Sequence, residues 1–189
     1  MDIYYGGHQN WLVAEGVAQS RANMACGLTA SANAFYYMSQ YVSGKANLYT
    51  KSNITKASFS AYQKELYDLS FTPDLGIGIP WLTALNTNAQ VWATSRNVSL
   101  AGNMSSSGWT YSQYLTHVVQ GLRQERPVLL LTWGSPIEDL EDHWVTITRI
   151  YNDGNGTKIV TSNWHNKEIY DFDLWCASSS GNKGTLYFE

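Results

Sequence analysis

The stretch HWVTITRIYNDGNGTKIVTSNW, residues 143–164, decides the fold class. β-Branched residues crowd Trp144–Tyr151, and Asn152-Asp153-Gly154-Asn155-Gly156 is a run that turns a chain back on itself. A partner of strand composition follows at Lys158–Trp164, so the whole reads as a β-hairpin. Working outward, Val128–Trp133 reads as a buried strand, and Ile169–Leu174 and Thr185–Phe188 as the last strands. Upstream the period changes to that of helices. Tyr111, Tyr114, Leu115, Val118, Val119 and Leu122 form one apolar face of a helix over Tyr111–Gln124, which ends before Pro127. A second helix fits Ser58–Ser70, with Phe59, Tyr62, Leu66 and Leu69 on one side. A third runs from Ala25 to about Tyr41, with Asn23 as its N-cap. Gly76-Ile77-Gly78-Ile79-Pro80 breaks the chain, and Pro80 suits the first turn of a short helix through Leu85. Helices first and antiparallel strands afterwards describe an α+β domain.

The chain has 189 residues, enough for one domain with a sizeable core, so residues 1–189 are read as a single domain. Apolar residues make up 44% and charged residues 14%, which excludes a disordered chain. A net charge of −3 gives no electrostatic reason to expect nucleic acid or an anionic membrane as partner. No apolar run approaches the roughly 20 residues of a membrane span. Tyr and Trp, 13 and 8 residues, join Ser, Thr and Asn in place of charge, which suits an extracellular or secreted protein. Met1-Asp2-Ile3-Tyr4 has neither the basic start nor the apolar stretch of a signal peptide. Cys26 and Cys176 can form one disulfide, but two cysteines do not make a disulfide scaffold. Without a Cys-x-x-Cys pair, no structural zinc site and no cofactor are expected.

Four residues carry chemistry. Cys26, in Ala25-Cys26-Gly27-Leu28-Thr29-Ala30, stands where a loop meets a long helix, and a helix N-terminus favours the nucleophilic thiolate. His143 opens a strand after the acidic loop Glu138, Asp139, Glu141 and Asp142, where a ring is held rigidly as a general base. Asn163 closes the hairpin partner, and its strand brings it back towards His143, where an amide fixes ring tautomer and orientation. Trp164 shields that bond from water. Gln19, shortly before Cys26, can offer a side-chain N–H to an oxyanion beside the Cys26 backbone N–H. Three have a structural alternative: Cys26 as a buried small apolar residue, His143 as a loop histidine beside carboxylates, Gln19 as a solvated side chain; Asn-Trp at a strand end means little taken alone. Of the other histidines, His117 reads as structural, His165 as the reserve base, and His8 as solvated. Trp109, Trp133 and Trp144 are candidates for cleft walls or core.

The order Gln, Cys, His, Asn resembles that of the papain-like cysteine peptidase superfamily. Within it, Cys26-Gly27-Leu28-Thr29-Ala30 and His143-Trp144-Val145-Thr146-Ile147, with a hairpin ending in Ser162-Asn163-Trp164, look closest to the bacterial bacteriocin-processing-like peptidases. Leu28 stands where that group commonly has Pro, and one residue more separates Gln19 from Cys26 than in papain. Many relatives use Asp as third member, but Asp153 lies in the turn, so Asn163 is preferred. The resemblance implies N-terminal helices packed on a C-terminal antiparallel sheet. It also implies a thiol hydrolase with Cys26 as nucleophile, His143 as base, Asn163 as orienting residue and Gln19 as oxyanion donor, acting on a peptide or protein substrate. An amidase or acyltransferase with the same site, and an inert binding module, are the rivals.

Overall fold

The computed structural model describes residues 5–73, 78–178 and 182–189, so Met1–Tyr4 and part of the expected break, Gly76 and Ile77, lie outside the described residues. A 3-10 helix, Gln9–Glu15, is followed by α1 (Gln19–Ala22), α2 (Cys26–Tyr41), α3 (Lys56–Leu69), α4 (Leu82–Ser95) and β1 (Gly102–Met104). Then come α5 (Tyr111–Arg123), β2 (Val128–Thr132), β3 (His143–Asn152), β4 (Thr157–Asn163), β5 (Asn166–Asp171), α6 (Phe172–Ala177) and β6 (Gly184–Phe188). The fold is α+β. Its six strands form one antiparallel sheet in the order β1-β6-β2-β3-β4-β5.

Alternation along the strands divides the interior in two. Leu129, Leu131, Trp144, Leu186 and Phe188 join one core with α2, α3 and α4. Val128, Leu130, Val145, Ile147 and Tyr187 join the other with Tyr114, Val118, Phe172 and Trp175 of α5 and α6. Both faces of the sheet are therefore covered by helices. Strand β1, absent from the sequence reading, extends the sheet by pairing with Leu186–Phe188. Buried His117 secures that edge, with Nδ1 2.8 Å from Thr185 Oγ1 and Nε2 3.3 Å from Asn103 Oδ1. Burial pushes its pKa down to about 4, so it is neutral and structural at neutral pH.

Caps and small residues explain where the helices differ from expectation. Thr55 accepts the Ser58 N–H and Ser58 returns a bond to Thr55, so α3 starts two residues before Ser58. Asn23 closes α1 rather than capping α2, which Ala25 precedes with no side-chain cap. Pro80 lies outside α4, which begins at Leu82 and continues to Ser95 by burying Leu85, Ala89, Trp92 and Ala93 on one face. The expected strand Ile169–Leu174 is split, because Asp171 accepts the Leu174 N–H and thereby starts α6. Helix α2 is buried on nearly all sides, because Ala30, Ala32 and Ala34 let neighbours approach its backbone. Thr146 of β3 donates to Ala30 O at 3.0 Å, and Gln63 of α3 donates to Thr29 Oγ1 at 2.8 Å. These bonds fix the first turns of α2, and with them Cys26. Among the described residues, no helix is long and apolar enough to cross a membrane.

Candidate active site

Cys26 is the first residue of α2, and His143 the first residue of β3. The β3–β4 register pairs Thr146 with Ser162, which returns Asn163 to the start of β3. His143 Nε2 and Asn163 Oδ1 are 2.8 Å apart, both residues buried. Asn163 is itself held, since its Nδ2 donates to the Tyr170 hydroxyl at 2.9 Å. The Trp164 ring lies 4.9 Å from the His143 ring, centroid to centroid. Cys26, His143 and Asn163 line one small cleft, together with Gln9, Trp144 and Trp164. Trp144 forms its wall and is anchored by an Nε1–H bond to Ile79 O at 2.7 Å. Trp109 packs instead against His117 and Tyr114 in the second core, and Trp133 against the first.

Electrostatics fix the proton positions. Burial pushes the Cys26 thiol up to about 11, against the opposing pull of backbone N–H groups of Trp144, Gly27 and Cys26 itself. A helix N-terminus contributes at most about 2 kcal/mol, whereas stripping water from a thiolate costs several. Desolvation is the larger effect and opposes the helix N-terminus, favouring the neutral thiol. Burial also lowers the His143 pKa, the Asn163 bond and Asp139 raise it, and His8 lowers it. Asn163 Oδ1 accepts only from a protonated Nε2, which leaves Nδ1 as the basic nitrogen. The resting pair is a thiol and a neutral imidazole.

No family model, curated protein or solved structure matches the chain. The chemistry is therefore read from the side chains alone.

Gln19 is not in the cleft. It is exposed on α1, with Nε2 donating to Asn23 Oδ1 at 2.7 Å and Asn10 Oδ1 at 3.1 Å. The 3-10 helix and α1 fold the intervening chain so that Gln9, seventeen positions before Cys26, reaches the cleft instead. Gln9 is buried, its Nε2 fixed to Asn23 O at 2.7 Å, and its Oε1 has no partner among the described residues. The segment carrying it passes through a narrow gap. Gly6 adopts φ +88, and a side chain there would strike Ser162 and Asn33, while one at Gly7 would strike Phe59. The Gly6-Gly7 pair just ahead of Gln9 is the sequence signal for this close approach.

His8 is half-buried rather than fully solvated. It caps the 3-10 helix by accepting the Asn10 N–H on Nδ1, and lies 6.0 Å from the His165 ring. His165, the reserve base, stacks on Trp11 at 5.5 Å and does not line the cleft. Trp164 and His165 form the two-residue turn between β4 and β5, at φ 45 and 60. Asn-Gly suits such a turn, and each bulky residue in left-handed backbone costs about 1–2 kcal/mol. The turn is held by the Trp164–His143 contact, the His165–Trp11 stack and the His165 N–H bond to Gly7 O at 3.0 Å. Strain that places an aromatic roof over a histidine points to function.

Asp153 accepts the Asn155 N–H within the far turn of the β3–β4 hairpin. Cys26 and Cys176 are both free thiols, one in each core. Among the described residues, no group of three or more His, Cys, Asp or Glu is arranged to hold a metal ion.

Proposed function

We propose that the chain is a papain-like thiol hydrolase that cleaves peptide or other amide bonds through a Cys26 acyl-enzyme. The buried 2.8 Å bond between His143 Nε2 and Asn163 Oδ1, in the cleft shared with Cys26, carries the reading. It leaves Nδ1 free to take the thiol proton as sulfur attacks the acyl carbon. The carbonyl electrons move to oxygen, stabilised by the Cys26 backbone N–H and the Gln9 side-chain N–H, the role expected of Gln19. The C–N bond breaks as Nδ1 passes the proton to the leaving amine. Water, deprotonated by the same nitrogen, releases the acid and restores the thiol. Because the resting pair is neutral, His143 works as a base during attack rather than as the partner of a standing ion pair.

Variants on any peptide or ester substrate found by screening test this. Cys26→Ala abolishes turnover. Asn163→Ala lowers kcat/KM by roughly one to two orders of magnitude, because the ring loses its tautomer and orientation. Asn163→Asp retains more activity than alanine, and Asp153→Ala is nearly silent. An unaffected Asn163→Ala beside a crippled Asp153→Ala would transfer the orienting role to the aspartate. Full turnover in Cys26→Ala would end the thiol reading.

A further inference from the structure

Beside the cleft lies a group of side chains that the hydrolase chemistry does not use. His165 directly follows the cleft-lining Trp164 in the chain, and His8 directly precedes the cleft-lining Gln9. Their rings are 6.0 Å apart. Lys56, the first residue of α3, places Nζ 5.6 Å from the centre of the Trp11 ring on which His165 stacks. Lys56 and His165 are exposed, so their heads are open to solvent.

Among the described residues the ion pairs are Lys51–Glu65, Lys64–Asp68, Arg96–Glu65 and Lys158–Asp171, and none involves Lys56, His8 or His165. Burial, His165 and Lys56 together hold the His8 pKa below the ordinary imidazole range, so at neutral pH it carries one proton. Its Nδ1 accepts from Asn10, which places that proton on Nε2 as a donor. The group thus combines one fixed positive charge on α3 with an imidazole N–H donor and a second ring, the two histidines each adjoining a cleft-lining residue in the chain.

We propose that Lys56, His8 and His165 form a specificity subsite for a carboxylate, so that the preferred acyl substrate carries an acidic side chain beside the scissile bond. The subsite rests on the hydrolase reading above, and is tested with reagents that need no known substrate. The α-amides of N-iodoacetyl-glutamate and N-iodoacetyl-glutamine differ by one negative charge and share the same electrophile, from which the Cys26 thiolate displaces iodide. In the native protein at low ionic strength, Cys26 reacts about three- to tenfold faster with the glutamate reagent, measured by peptide mass spectrometry. Lys56→Gln brings the ratio of the two rates close to one, Lys56→Glu inverts it, and added salt compresses it. Lys64→Gln, on the same helix but paired with Asp68, leaves the ratio as in the native protein. A Cys26 that reacts with both reagents equally, or with a preference that survives Lys56→Glu, overturns the subsite while leaving the hydrolase standing. A Cys26 inert to both overturns the hydrolase reading and the subsite with it.

Discussion

Replacing His143 by alanine is expected to lower kcat/KM by about two to four orders of magnitude, the range a positioned general base supplies. The loss is large because Cys26 has no other route to a thiolate at neutral pH. Burial holds its thiol up at about 11, and the three backbone N–H groups near the sulfur do not reverse that. His165→Ala should change turnover far less, since His165 stacks on Trp11 outside the cleft. Measuring kcat/KM and the iodoacetamide rate together separates causes, because both reactions need the proton removed. A His143→Ala variant that keeps its alkylation rate at pH 7 would show that some other group takes the thiol proton.

Gln9→Ala should have the next largest effect, about two to three orders of magnitude in kcat/KM, the loss seen when one oxyanion donor is removed. Alkylation has no tetrahedral oxyanion, so the iodoacetamide rate at Cys26 should stay near that of the native protein. Unchanged alkylation also shows that the site is still assembled. Gln9→Glu should not rescue, because an ionised carboxylate only accepts hydrogen bonds and repels the developing charge. Gln19→Ala should be close to silent, its amide being occupied with Asn10 and Asn23 at the surface. The opposite pattern, with Gln19→Ala crippled and Gln9→Ala normal, would return the oxyanion role to Gln19.

That exchange marks the boundary of what local sequence conveys. Helix α5 and the β3–β4 hairpin were legible because each carries its own period and its own turn or cap. The meeting of His143 with Asn163 follows from hairpin geometry, and so was legible too. Gln9 was not, because its place depends on a 3-10 helix and on the passage of Gly6 and Gly7 past Ser162, Asn33 and Phe59, contacts between distant segments. Tyr170, which holds Asn163, was hidden for the same reason: a tyrosine in a strand does not announce which hydroxyl bond it makes. Helix α4 was underestimated because alanine and threonine blur its apolar face, although Leu85, Ala89, Trp92 and Ala93 keep helical spacing. The burial that opposes the helix N-terminus at Cys26 depends on the packed tertiary structure and is not legible in the local sequence.

The most direct measurement is the rate of iodoacetamide labelling of each cysteine from pH 5 to 10, read by peptide mass spectrometry. His143 must lose its proton before it can accept one from Cys26, and its pKa lies below the ordinary imidazole value. Labelling of Cys26 should therefore rise with pH through a point below about 6.5, hold a plateau across neutrality, and rise again only on approach to about 11. Burial pushes the Cys176 thiol up to about 12, with Lys183 opposing and Asp173 adding to the rise, so its rate should climb steadily from a far lower level. Two parallel profiles without a plateau, or a Cys26 slower than Cys176 at pH 7, would contradict a Cys26–His143 catalytic pair.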